Sequence, residues 1–117
     1  MSFTDDQIQQ IEQSIKDSSK NVEVADALAR LYANRDFKKV ILEGYLEKEA
    51  IRLVHAKADA ALQSAESQKQ LMNQIDAIGI LKGYFHTIGF LGEQARKTIS
   101  YAEEARQELI TGEDDGR

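Results

Sequence analysis

Apolar positions recur at helical spacing almost from the first residue of the chain. Ile8, Ile11 and Ile15 stand at i, i+3 and i+7, a narrow stripe on one helix face. Thr4 and Gln7 have the spacing of a capping box ahead of that stripe, and Phe3 and Ile8 that of a hydrophobic staple. The pattern fades at Asp17-Ser18-Ser19-Lys20-Asn21, where a first helix is predicted to end. A second is predicted from Val22 to Tyr32 on Val24, Ala25, Leu28, Ala29 and Tyr32. Asn34-Arg35-Asp36 interrupts it, and Asp36 suits the cap of a third helix from Phe37 to about Ala58. At about 100° per residue, Phe37, Val40, Ile41, Gly44, Ile51 and His55 share one face of that helix. Leu42, Leu46 and Leu53 fall on nearly the opposite face. An edge helix of a small bundle needs only one apolar stripe. Two stripes predict a helix that is central or that meets another molecule, which makes Leu42, Leu46 and Leu53 candidate contact residues.

Residues 59–67 read as a softer connection, with Ser64 or Ser67 suited to cap a last helix from about Glu66 to Ile110. Gly112 is placed to close it. Within it, residues 75–92 read IDAIGILKGYFHTIGFLG, the most apolar run of the chain. The run holds Gly79, Gly83, Gly89 and Gly92 of the seven glycines. Two glycines within four residues are poor helix interior, so a break or bend is expected near Gly89–Gly92. Leu71, Ile78, Leu81, Phe85, Ile88, Gly92 and Ile99 form the main apolar face. Met72, Gly79, Gly83, His86 and Phe90 lie on the other side. Gly79 and Gly83, four apart, make a groove without side chains, which either admits another backbone or relieves crowding inside one bundle. Gly79, Gly83, His86 and Phe90 are therefore candidate protein-contact residues. Ile88, Leu91, Ala95, Thr98, Ala102, Ala105 and Leu109 follow heptad spacing, and the alanines suit close antiparallel packing.

No window alternates strictly, and the chain has no proline, so the fold class is all-α. The expected architecture is a small helical bundle or elongated helical hairpin of about four helices, the last one long and glycine-interrupted. Residues 1–112 are expected to form a single helical domain, and 113–117 a polar mobile tail. The 117 residues carry a net charge of −5. Nucleic-acid binders draw most of their affinity from phosphate neutralisation, so this balance points away from nucleic acid. A local cluster of Arg30, Arg35, Lys38 and Lys39 has its counterweight in Glu43, Glu47 and Glu49 and no interleaved aromatics. A membrane span needs about 20 mostly apolar residues. The run at 75–92 is shorter and contains Lys82 and His86, so no membrane role is expected. The N-terminal MSFTDDQIQQIEQ has neither a basic nor an apolar signal region, so no signal peptide is expected there. Without cysteine there is no thiolate or disulfide chemistry. His55 and His86 each sit on an apolar face and read as packed residues. No histidine follows a carboxylate at the spacing of di-metal bundles, and no phosphate-loop or hydrolase motif occurs. The expectation is a protein that is not an enzyme and has no cofactor.

RLYANRDFKKVILEGYLEKEAIRL and IDAIGILKGYFHTIGFLGEQA, within residues 26–108, resemble segments of small helical proteins encoded among the virion-assembly genes of tailed bacteriophages. The resemblance is one of order and texture. It implies a structural or assembly role in a head, neck or accessory component, located in the virion or the host cytoplasm. Its partners would be further copies of the chain or other virion proteins. A small acidic protein that binds and inhibits a host protein is the alternative, and it calls for an acidic stripe on the folded surface.

Overall fold

The computed structural model describes residues 3–114, and among them every regular element is helical. Helix α1 spans Phe3–Ala33. Helix α2 (Arg35–Phe37), a π-helical segment (Lys38–Glu49) and α3 (Ala50–Lys57) follow without a gap as one middle helix. A 3-10 turn (Ala60–Leu62) leads into α4 (Ala65–Asp114). The chain divides into two compact units, one of Met1–Ala27 with Ile88–Arg117 and one of Leu28–Thr87.

In the first unit, the early part of α1 runs antiparallel to the late part of α4. Arg96 pairs with Asp26, and ten residues later Arg106 lies 3.9 Å from Glu12. The expected end of a first helix at residues 17–21 does not occur, since α1 is a single helix of 31 residues. Its half-buried positions Ile8, Ile11, Ile15, Ser18, Val22 and Ala25 keep an alternating three- and four-residue spacing. Ser18 thus holds a small polar place on a continuous seam, and Ser19 bonds back to the Lys16 carbonyl instead of opening the helix. Phe3 already belongs to α1 and is 78% exposed, so neither the capping box at Thr4 nor the staple forms. Opposite this seam, α4 presents small residues. Gly92 and Ala95 are buried, and Ile88, Ile99, Ala102 and Leu109 are half-buried. The alanine-rich face packs antiparallel as expected, but its phase passes through Gly92 and Ile99, leaving Leu91 and Thr98 exposed.

The second unit packs the middle helix against the early part of α4. Asn34, not Asp36, caps it, its Oδ1 accepting from the Phe37 amide at 2.9 Å. Leu53, Leu71 and Ile78 form the core, joined by Tyr45, Leu46, Ala50, Ala56, Leu62 and Ile75. The π-type ladder over 12 residues alters which side chains face that core. Phe37, Ile41, Tyr45 and Leu53 are all at least half-buried, and so are Leu42, Leu46 and Ala50. Inward positions therefore recur every four residues or so, not every 3.6. Phe37 and Ile41 of the first stripe join Leu42, Leu46 and Leu53 of the second on one buried face, and their burial offsets the poorer π geometry. Val40, Ile51 and Val54 remain outside.

The connection at 59–67 is more ordered than its composition suggests. Asp59 caps the 3-10 turn through the Ala61 amide at 2.8 Å, and Ser64 Oγ accepts from the Ser67 amide at 3.1 Å. The Gln63 amide group donates to the carbonyls of Lys57 and Asp59, and that of Gln68 to those of Lys57 and Leu62. These bonds satisfy carbonyls that the end of α3 leaves open. Helix α4 then runs 50 residues without the expected break at Gly89–Gly92, and Gly112 lies inside it instead of capping it. Its inward residues Leu71, Ile78, Leu81, Phe85, Ile88, Gly92 and Ile99 are those of the main apolar face read from sequence. Packing along that face outweighs the roughly 1 kcal/mol that each glycine costs a helix. Glu113 and Asp114 still belong to α4, so the tail expected from residue 113 starts in helix, while 115–117 lie outside the described residues.

Candidate interaction surfaces

The second unit leaves a groove between its two long helices. Val40, Ile41, Gly44, Tyr45 and Glu49 form one wall, Gln74, Ala77 and Ile78 the other, and Leu53 lies at its base; its volume is about 480 Å³. Two helices alone cannot cover each other's apolar surface completely, and this groove is what remains. Farther along α4, Ile80 is 73% exposed and Tyr84 is also exposed. The inner side of the same region is closed by Tyr32, Phe37 and Phe85, whose ring centres lie 6.0 to 6.2 Å apart.

Beside the groove, the π segment carries a basic hollow lined by Arg35, Lys38, Lys39 and Lys48, with Glu43 the one acid in its wall. Among the described residues none of these four cations is in an ion pair. Arg52 is paired, bonding Glu49 Oε1 through Nε at 2.9 Å. That hydrogen bond, with the nearby guanidinium charge, holds the Glu49 carboxyl below the usual range and raises Arg52.

The sites expected from sequence separate into two groups. Leu53 is 1% exposed and is core at the base of the groove, and Leu46 packs on the same core. Leu42 is half-buried. The merging of the two stripes by the π register removes the reason for placing these leucines at an interface. Gly79, Gly83 and His86 are exposed in the second unit, and Phe90 is exposed in the first. A Cβ added at Gly79 or Gly83 would meet nothing within 4 Å, so the side-chain-free strip relieves no crowding inside this chain. The close approach occurs instead at Gly92, where an added Cβ would lie 2.3 Å from the Ala25 Cβ. His55 and His86 are both exposed, which corrects the expectation that they are packed.

The first unit has its own groove of about 540 Å³ between α1 and α4, lined by Gln7, Gln10, Ile11 and Ser14 and by Ala102, Ala105, Glu108 and Leu109. On α4 beside it, Tyr101 is 70% exposed, with Glu104 and Glu108 one and two turns on. Sequence reasoning passed over Val40, Ile80 and Tyr101 as contact candidates, although each stands one or two helical turns from charged residues it shares a face with.

Among the described residues no cluster of histidine and carboxylate side chains is arranged to hold a metal, and no buried side-chain polar atom lacks a partner. No helix among them is long and apolar enough to cross a membrane. No protein family, curated protein or solved structure matches the chain.

Proposed function

We propose that the chain is a non-enzymatic structural or assembly protein of a tailed-phage virion, acting through helix–helix contacts in a head, neck or accessory component. The observation that carries the contact role is the uncovered groove of Val40, Ile41, Tyr45 and Ala77. Apolar surface of this kind gains roughly 25 cal/mol per Å² when a partner removes it from water, and exposed apolar patches on small soluble domains mark such partners. The virion setting is supported by the resemblance of residues 26–108 to small helical proteins of phage assembly genes.

The test is co-sedimentation from cells in which the virion is assembling. The chain is expected in the gradient fractions that hold heads, necks or their precursors. Val40→Glu, which puts a charge on an already exposed position, is expected to leave the helical circular dichroism intact and remove the chain from those fractions. Parent protein found only among free proteins at the top of the gradient would overturn the reading.

A further inference from the structure

Charge is distributed unevenly between the two units. Residues 1–27 with 88–117 hold thirteen acids and six bases, whereas residues 28–87 hold seven acids and nine bases. Four of the nine bases of the second unit, Arg35, Lys38, Lys39 and Lys48, line one hollow on the π segment with Glu43 as the one acid in its wall. Lys38 and Lys39 immediately precede Val40 and Ile41 of the groove wall, and Lys48 precedes Glu49 on the same wall. The acidic excess also lies beside exposed apolar surface. Tyr101, Glu104 and Glu108 stand at i, i+3 and i+7 on α4 and are all exposed, Glu108 also lining the α1–α4 groove, and neither glutamate is in an ion pair among the described residues.

We infer that the groove of residues 28–87 receives a second copy of this chain, through the α4 ridge of Tyr101, Glu104 and Glu108, so that copies associate head to tail. The inference rests on the assembly reading above and names the first partner of that surface. An exposed helix face laid in an apolar groove is an established recognition mode. Tyrosine suits the anchor because it brings a large area and few rotatable bonds. Lys38, Lys39 and Lys48 supply the complementary charge for Glu104 and Glu108, which fixes the direction of docking and speeds encounter. The two surfaces are different, so the contact is heterologous. Heterologous contacts propagate into rings or filaments unless something ends them. A building block of a cyclic or layered assembly needs that property.

Sedimentation of the full chain with charge-reversed pairs tests this. At low salt and roughly 100 μM, a concentration that reveals weak contacts, the parent is expected to self-associate. At high salt association is expected to weaken by about tenfold or more, since rim charges are screened. Lys38→Glu with Lys39→Glu in one chain, and Glu104→Lys with Glu108→Lys in another, should each sediment as a monomer with unchanged helical content. Mixed in equal amounts, the two variants should associate again, because each then meets its complement. Tyr101→Ala, which leaves every charge in place, should also weaken association. A parent monomeric at low salt, association indifferent to salt, variants that associate like the parent, or a mixture that stays monomeric would each overturn the inference. A monomeric parent that still co-sediments with virion intermediates would leave the assembly role standing and remove only self-docking.

Discussion

One methyl group decides how closely α1 and α4 approach at Gly92. A Cβ there would lie 2.3 Å from the Ala25 Cβ, and neither atom belongs to a side chain that can rotate away. The backbones must separate, so Gly92→Ala is expected to cost about 1–3 kcal/mol. Gly79→Ala meets only solvent and should stabilise by up to about 1 kcal/mol through better helix propensity. Urea unfolding of the two variants should therefore shift in opposite directions. Ala25→Gly should suppress part of the Gly92→Ala loss, a favourable coupling in a double-mutant cycle. Equal stabilisation by both alanines would mean that the helices are not close at this point. The sequence distinguishes these glycines by face: Gly92 shares the stripe of Leu71 and Ile78, and Gly79 lies opposite. What it does not carry is whether the opposite face is covered, because coverage depends on the position of a helix more than fifty residues away.

At the scale of elements, α4 was legible as a long helix with the correct inward face, and the middle helix was legible in extent but not in register. At about 100° per residue, Phe37–Ala58 separates Leu42 and Leu46 from Phe37 and Ile41. The π ladder of Lys38–Glu49 brings them together. No local motif announces that ladder; the drive to bury both stripes is a tertiary effect that overrides intrinsic preference. Ser18 misled in the same manner, since a polar residue of low helix propensity resembles a helix end when its seam position is not yet known. Gly44 provides a test of the π register. A Cβ there would lie 3.0 Å from the Lys39 carbonyl oxygen, five residues back, and a backbone carbonyl yields only if the ladder shifts. Gly44→Ala is expected to lower the melting temperature. In an ordinary α-helix the same change would raise stability by up to about 1 kcal/mol, so a higher melting temperature would show that residues 38–49 are α-helical in solution.

At the scale of the whole molecule, helical class follows directly from periodicity and the lack of proline, whereas the division of charge follows only once the units are known. The basic cluster of Arg30, Arg35, Lys38 and Lys39 lies in one contiguous stretch and is legible in the sequence, whereas the acidic residues at the two ends of the chain fall into one unit only because α1 and α4 run antiparallel. The buried apolar side chains among those described are few: Leu28, Leu53, Leu71, Ile78 and Ala95. A core this limited places the isolated chain towards the lower part of the usual 5–15 kcal/mol of folding stability. Association that removes the groove from water then adds to stability by mass action, by about 2.7 kcal/mol when the partner is at a hundred times its dissociation constant. The melting temperature at low salt should therefore rise by several degrees as the chain is concentrated a hundredfold. At high salt, or with Lys38→Glu and Lys39→Glu in place, that dependence should flatten. A melting temperature independent of concentration at low salt would mean that copies of the chain do not cover the groove, and that whatever covers it is a different protein.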